Sequence, residues 1–283
     1  FRVAGAIMPD GGNDRDADCY RFNASAGQQL VLEAHAEGDN PSLDSRIEVL
    51  TTDGKPIIRT VLQAVRDSYF TFRGKDSDTI DDFRVFNWQE MELNEYLYSD
   101  GEVVKLWLYP RGPDSGFKVY PGFGKRFTYF GTTPTSHALQ APCFVVVPHE
   151  PGAVLTPNGL PTFPIYYEND DDARRSLGRN ARLMFTAPDD GDYVVRITDS
   201  RGFSGKDFEY TLTVRPPKPR YEVSVNTRKV SVAPGTGQEL LFTATRIDGY
   251  DGLIPVDISG LPAGFGFSGP LVIEREQFKT SGT

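Results

Sequence analysis

Apolar residues recur at every second position in one short run after another, and turn residues close each run. Leu30, Leu32 and Ala34 alternate, as do Ile47 and Val49 ahead of an Asp53-Gly54 pair. Leu183 and Phe185 alternate, a turn passes through Pro188–Gly191, and Tyr193, Val195 and Ile197 resume the pattern. Phe208, Tyr210, Leu212 and Val214 follow, and two prolines stop them. A period of two puts successive side chains on opposite faces, which is the pattern of a half-buried strand. Asp-Gly between such runs is a hairpin signal. Only Asn87–Leu97 offers a helical turn or two, and its neighbours are strand-like. The chain therefore reads as all-β.

Composition agrees. Gly (28) and Pro (21) supply turns, while 12% aromatic residues suit pleated surfaces. The 283 residues leave room for two or more cores. A formal charge of −9 repels phosphate backbones, so nucleic acid is excluded as a partner class. No run approaches the ~18 apolar residues of a membrane span. The opening FRVAGAIMPDGG carries neither an initiator Met nor a signal peptide, so the chain is expected to be part of a longer polypeptide. Cys19 and Cys143 are too few for a disulfide framework. They either pair in an oxidising compartment or remain as buried thiols.

Arg215–Tyr221 (RPPKPRY) reads as a linker, because proline fixes φ and cannot donate to a ladder. The strand series after it is short for an immunoglobulin-like sandwich of about 100 residues.

DADCYRFNASAGQQLVLEAHA, SLDSRIEVLTTDGK, ENDDDARRSLGRNARLMFTAPDDGDYVVRITDS and FEYTLTV, in that order, resemble the bacterial pre-peptidase C-terminal domain family. The resemblance implies a small jelly-roll-like β-sandwich from an exported protein, assembled from residues 1–57 and 166–216. Some relatives bind collagen or carbohydrate, and some bind calcium. The RIDGYDGLIPVDISGLPAGF stretch is similar to the immunoglobulin-like repeats of large exported planctomycete-type proteins. Residues 217–283 are accordingly expected to begin such a domain. Residues 58–165 interrupt the family pattern and are too long for a loop. They are expected to form an inserted, aromatic-rich, small β-barrel-like module.

Three kinds of chemistry can be weighed. Calcium takes hard oxygen ligands, and GGNDRDADCY and YENDDDARR offer Asn13, Asp14, Asp16, Asp18, Glu168, Asn169, Asp170, Asp171 and Asp172, with Asp44 as a further contributor. The calcium expectation rests on Asp16, Asp18, Asp44, Asn169, Asp170 and Asp171; a solvated turn is the plainer explanation. Aromatic faces stack on sugars or apolar side chains; Trp88, Tyr96, Tyr98, Trp107 and Tyr109 are the expected ligand-binding set, with Tyr120 and Tyr129 behind them. Core packing competes for each of these.

Hydrolysis finds little support. His35, His137 and His149 share no metal-ligand spacing, and neither HExxH nor GxSxG occurs. Cys143 with His137 or His149 is a conceivable thiol pair, and His35 reads as structural. GFGKRF (Gly122–Phe127) reads as a hairpin turn rather than a phosphate loop.

The leading expectation is a non-catalytic, secreted, periplasmic or cell-surface segment of a larger protein. It would bind polysaccharide or an extracellular protein, with calcium as the candidate ion and other domains of the same polypeptide as neighbours. A pure spacer and a hydrolase housed in residues 58–165 are the alternatives. An exposed aromatic surface favours binding, and a solvent-sealed His137 cluster counts against the hydrolase.

Overall fold

The computed structural model describes residues 1–9, 16–38, 41–72, 80–112, 115–172, 177–227 and 229–283. Asn13, Asp14, Arg174 and Arg175 lie outside the described residues. The chain is all-β, and it divides into two compact units, Phe1–Pro216 and Pro217–Thr283. The break falls within the proline run. Among the described residues no helix is long and apolar enough to cross a membrane.

The first strands are β1 (Arg2–Ala6), β2 (Asp18–Ala24), β3 (Gln29–Ala36) and β4 (Ser45–Thr51). Then come β5 (Ile58–Tyr69), β6 (Asp82–Phe83), β7 (Tyr96–Ser99), β8 (Glu102–Leu108), β9 (Phe117–Val119), β10 (Pro121–Gly122), β11 (Lys125–Arg126), β12 (Pro142–His149) and β13 (Thr162–Tyr166). The larger unit ends with β14 (Glu168–Asn169), β15 (Ala181–Thr186), β16 (Gly191–Asp199) and β17 (Glu209–Arg215). The smaller holds β18 (Arg220–Val225), β19 (Leu240–Ile247), β20 (Ile254–Val256), β21 (Leu271–Ile273) and β22 (Lys279–Gly282).

Two four-stranded antiparallel sheets, β1-β17-β3-β15 and β14-β4-β16-β2, form a sandwich. Apart from the β4-to-β14 step, successive strands cross from one sheet to the other, which is jelly-roll order. The alternating residues explain the packing. Leu30, Leu32, Ala34, Leu183, Phe185, Leu212 and Val214 of one sheet meet Phe22, Ile47, Val49, Tyr193, Val195 and Ile197 of the other in one core. Phe185 stands edge-on to Phe22, Tyr167 and Tyr193, with centroids 5.9, 4.9 and 5.0 Å away. The Asp53-Gly54 turn forms as the sequence indicates, with Gly54 at φ 82° and the Thr51 N–H donating to the Lys55 carbonyl.

Residues 58–166 build a seven-stranded antiparallel sheet, β13-β5-β12-β7-β8-β9-β6. One edge of the long β5 pairs with β12 from Val61 to Tyr69, while the other pairs with β13 from Ile58 to Gln63. At its far end Phe70 bridges Val85, just beyond β6. This single bridge curls the sheet without continuing into a ladder, so the expected barrel remains an open sheet.

A register shift opposite Val145/Val146 skips one residue of β5 and swaps the faces of the strand. Leu62 and Ala64 consequently serve one cluster with Val103, Val146 and Ile165. Phe70 serves the other with Phe83, Leu106, Phe117 and Cys143. The Asn87–Leu97 run holds only a short 3-10 turn, Trp88–Glu90, before β7 begins. GFGKRF belongs to the β10-β11 hairpin, as expected.

The smaller unit has two sheets, β18-β19-β22 and β20-β21, around Leu240, Phe242, Ala244, Ile254, Val256 and Ile273. β18 is exposed along its whole length.

Candidate functional site

A cleft of about 520 Å3 lies where the seven-stranded sheet meets the sandwich. Tyr98, at the end of β7, and Tyr166, at the end of β13, supply aromatic walls. Arg46 of β4 and Glu168 of β14 contribute an ion pair at 2.6 Å. Asp170, Asp171 and the 131–135 turn complete the lining.

The turn and the sandwich are stitched together by Asn169. Its Nδ2 donates to the Gly131 carbonyl (2.8 Å), and its Oδ1 accepts from the Asp171 N–H (3.0 Å) and the Thr133 hydroxyl (2.6 Å). The Thr133 hydroxyl also lies 3.1 Å from Asp170 Oδ1. Asn169 is buried, so Asn169→Ala leaves buried polar groups without partners. The expected cost is about 1–3 kcal/mol, read as a lower urea midpoint for the larger unit.

The six oxygen donors named for calcium separate into two places. Asn169, Ile47, Ile197 and Asp18 form one row across β14, β4, β16 and β2. At about 4.8 Å per strand, Asp18 lies about 14 Å from Asn169. Asp18 accepts a hydrogen bond from Tyr210 Oη (2.6 Å), and Asp16 accepts from the backbone N–H groups of Met8 and Ala17.

Asp44 does stay near the cleft. Burial first, then the charges of Asp170, Asp44 and Asp172, push the Asp171 carboxyl up to about 6. Among the described residues no group of three or more His, Cys, Asp or Glu side chains is arranged to hold a metal ion.

The predicted aromatics also divide. Tyr96 and Tyr98 are half-buried and pack against the cluster of Leu62, Ala64, Val103, Val146 and Ile165, so they face inward rather than standing as an exposed surface; Trp107 is half-buried too. Tyr98 stacks on Phe163 at 4.0 Å, and Lys105 Nζ sits 5.9, 5.2 and 5.9 Å from the rings of Tyr96, Tyr120 and Tyr129. A bulge between Leu106 and Leu108 then swaps the faces of β8. Tyr109 consequently meets Phe117 at 5.5 Å, and Trp88 meets the same ring at 6.4 Å. Trp88 borders a separate cleft of about 280 Å3.

His137 does meet a carboxylate, out of reach of solvent. Its Nε2 lies 2.7 Å from Glu102 Oε2, with side chains 4% and 1% exposed. Arg126 Nε lies 2.6 Å from Glu102 Oε1, and its Nη1 and Nη2 donate to the Ile80 and Thr135 carbonyls. Burial holds the Arg126 guanidinium below its ordinary value, against the pull of Glu102. The His137 ring stacks on Phe70 at 4.5 Å.

Cys143 is buried and free, and burial pushes its thiol up to about 12. Cys19 is free and exposed, so the two neither pair nor share the buried state expected of them. His35 points outward from β3 and is exposed.

Sequence reasoning did not single out Arg46, Thr133 or Tyr166 for this cleft. They reach it through pairings of distant strands, for which a linear pattern carries no signal. No family model, curated protein or solved structure matches the chain. Its function is therefore argued from side chains and geometry alone.

Proposed function

We propose that the chain is a non-catalytic binding and scaffold segment of a larger exported protein, and that it holds a polysaccharide in the cleft between sandwich and seven-stranded sheet. Residues 1–57 and 166–216 would be the pre-peptidase C-terminal-like host, and residues 58–165 its insertion. The jelly-roll order of the host strands supports that assignment, and residues 217–283 would begin an immunoglobulin-like domain.

The observation carrying the reading is the convergence of two tyrosine rings with Arg46, Glu168, Asp170 and Thr133 in one cleft. Sugars present apolar C–H faces and a rim of hydroxyls. Aromatic walls receive the first, and a few fixed polar groups orient the second. The sealing of His137 and the high-pKa Cys143 thiol support a non-catalytic role.

Affinity electrophoresis on a panel of polysaccharides, with collagen as the protein alternative, tests the proposal. Wild type should be retarded by at least one glycan. Compared in EDTA, Asp170→Ala and Tyr166→Ala should weaken that retardation about tenfold, and Asp170→Ala should not lower the melting midpoint. Retardation by collagen alone, or retardation indifferent to both substitutions, would contradict it.

The repulsion between Asp170 and Asp171 favours an accompanying calcium ion held by these two carboxylates, with backbone carbonyls and water as its remaining ligands. A raised carboxyl pKa means that the folded state prefers the protonated form. Its stabilising share is then full below the unfolded value near 4 and is lost as pH rises through about 6. In EDTA, Asp171→Asn should raise the melting midpoint at pH 7.5 and leave it unchanged at pH 4. Millimolar calcium should raise the wild-type midpoint at pH 7.5 by mass action. A midpoint indifferent to calcium would remove the ion from the proposal.

A further inference from the structure

We infer that Arg59 is the centre of an oxyanion-binding site, separate from the cleft, that receives a carboxylate, sulfate or phosphate group. Neither the glycan reading nor the calcium ion is needed for it.

A bulge sets the side chain in place. In the β13-β5 ladder Thr60 faces Ile165 and Ile58 faces Tyr166, so Arg59 is the extra residue between them. The ladder with β12 starts only at Val61. Bulges of this kind re-aim a side chain and recur beside functional sites. The guanidinium carbon sits 5.4 Å from the centroid of the Tyr167 ring. Nη1 fills the space beside Gly131, where a Cβ would come within 2.5 Å of it. Both neighbours are fixed. Tyr167 stands edge-on to Phe185 of the sandwich core at 4.9 Å, and the Gly131 carbonyl accepts from Asn169 Nδ2. Gly131 lines the cleft, but Arg59 does not.

The charge has no answer among the described residues. The chain holds 39 acidic residues against 30 basic ones, and its other half-buried arginines find oxygen partners. Arg46 and Arg196 pair with glutamates, Arg182 and Arg215 share Glu33, and Arg246 donates to three carbonyls. Arg59 is also half-buried, yet among the described residues it makes no ion pair and donates no hydrogen bond. Its nitrogens are not sealed from solvent, so a small ligand can reach them. Burial holds the guanidinium below its ordinary value, with Tyr167 pulling the other way.

The chemistry selects an anion. An aromatic ring attracts the cation but leaves its five N–H donors unused. Those donors form a rigid fork that fits two oxygens of a carboxylate, sulfate or phosphate. Desolvating a guanidinium without a counter-ion costs stability, and a methionine would fill the same space without that cost. A metal ion or a neutral sugar would leave the charge unanswered.

The test is thermal unfolding of the full chain in Tris chloride at constant ionic strength, with sodium sulfate, phosphate or acetate raised through the millimolar range. At least one of them should raise the midpoint of the larger unit by about 3 °C at saturation, while residues 217–283 keep theirs. Acetate acting alone marks a carboxylate site, and sulfate or phosphate acting alone marks a tetrahedral one. Arg59→Met should abolish the shift and, in chloride, keep or raise the midpoint. Arg59→Lys retains the charge without the fork and should weaken the affinity about tenfold. General salting-out by sulfate acts equally on Arg59→Met and does not saturate; that result overturns the site. A wild-type midpoint indifferent to all three anions overturns it too, and a fall for Arg59→Met in chloride would then make Arg59 a packing strut.

Discussion

Glu102→Gln is expected to lower stability by about 3–5 kcal/mol, among the largest effects of a single substitution in the larger unit. The side chain keeps its shape and loses only its charge. Arg126, 4% exposed and 2.6 Å from Glu102, would then be a buried guanidinium with carbonyl acceptors and no counter-ion. Taking a charge out of water is costly, and removing one partner leaves that cost uncompensated. Urea unfolding should show a lower midpoint with an unchanged slope. The double variant Glu102→Gln, Arg126→Met should cost less than the sum of the two singles, because the second change removes the charge that the first isolated. A cost below about 1 kcal/mol for Glu102→Gln would mean that water reaches the pair.

Phe185→Ala should cost a similar amount, about 3–5 kcal/mol, by a different route. Phe185 is fully buried at the centre of the jelly roll and touches Phe22, Tyr167 and Tyr193 edge-on. Those three rings cannot close the space that its removal leaves. Edge-to-face pairs add about 0.5–1.5 kcal/mol each beyond burial. Residues 217–283 have a core of their own around Phe242 and Ile254. Calorimetry should therefore show the transition of the larger unit move down while that of the smaller stays in place. Displacement of both together would make the two units one cooperative system.

The alternation that made the sandwich legible is a local property. Tyr193, Val195 and Ile197 announce a strand and its buried face within five residues, and all three are buried in the core. The Asp53-Gly54 turn is equally local. Where the pattern misled, a bulge intervened. The shift between Leu106 and Leu108 turned Tyr109 away from the face that carries Trp107. The acidic segments misled because sheet order, not sequence, decides which loops meet: Asp18 and Asn169 stand at opposite edges of one sheet. Long-range contacts were silent for the same reason. Thr133 meets Asn169 and Glu102 meets His137 across dozens of residues, and only strand pairing brings them together.

Amide chemical-shift mapping of the isotope-labelled chain, titrated with the glycan that retards it in affinity electrophoresis, addresses the central claim most directly. The account predicts saturable shifts at residues 98–101, 131–135 and 166–171, with residues 217–283 undisturbed. Shifts absent from the cleft, or confined to 217–283, would contradict it.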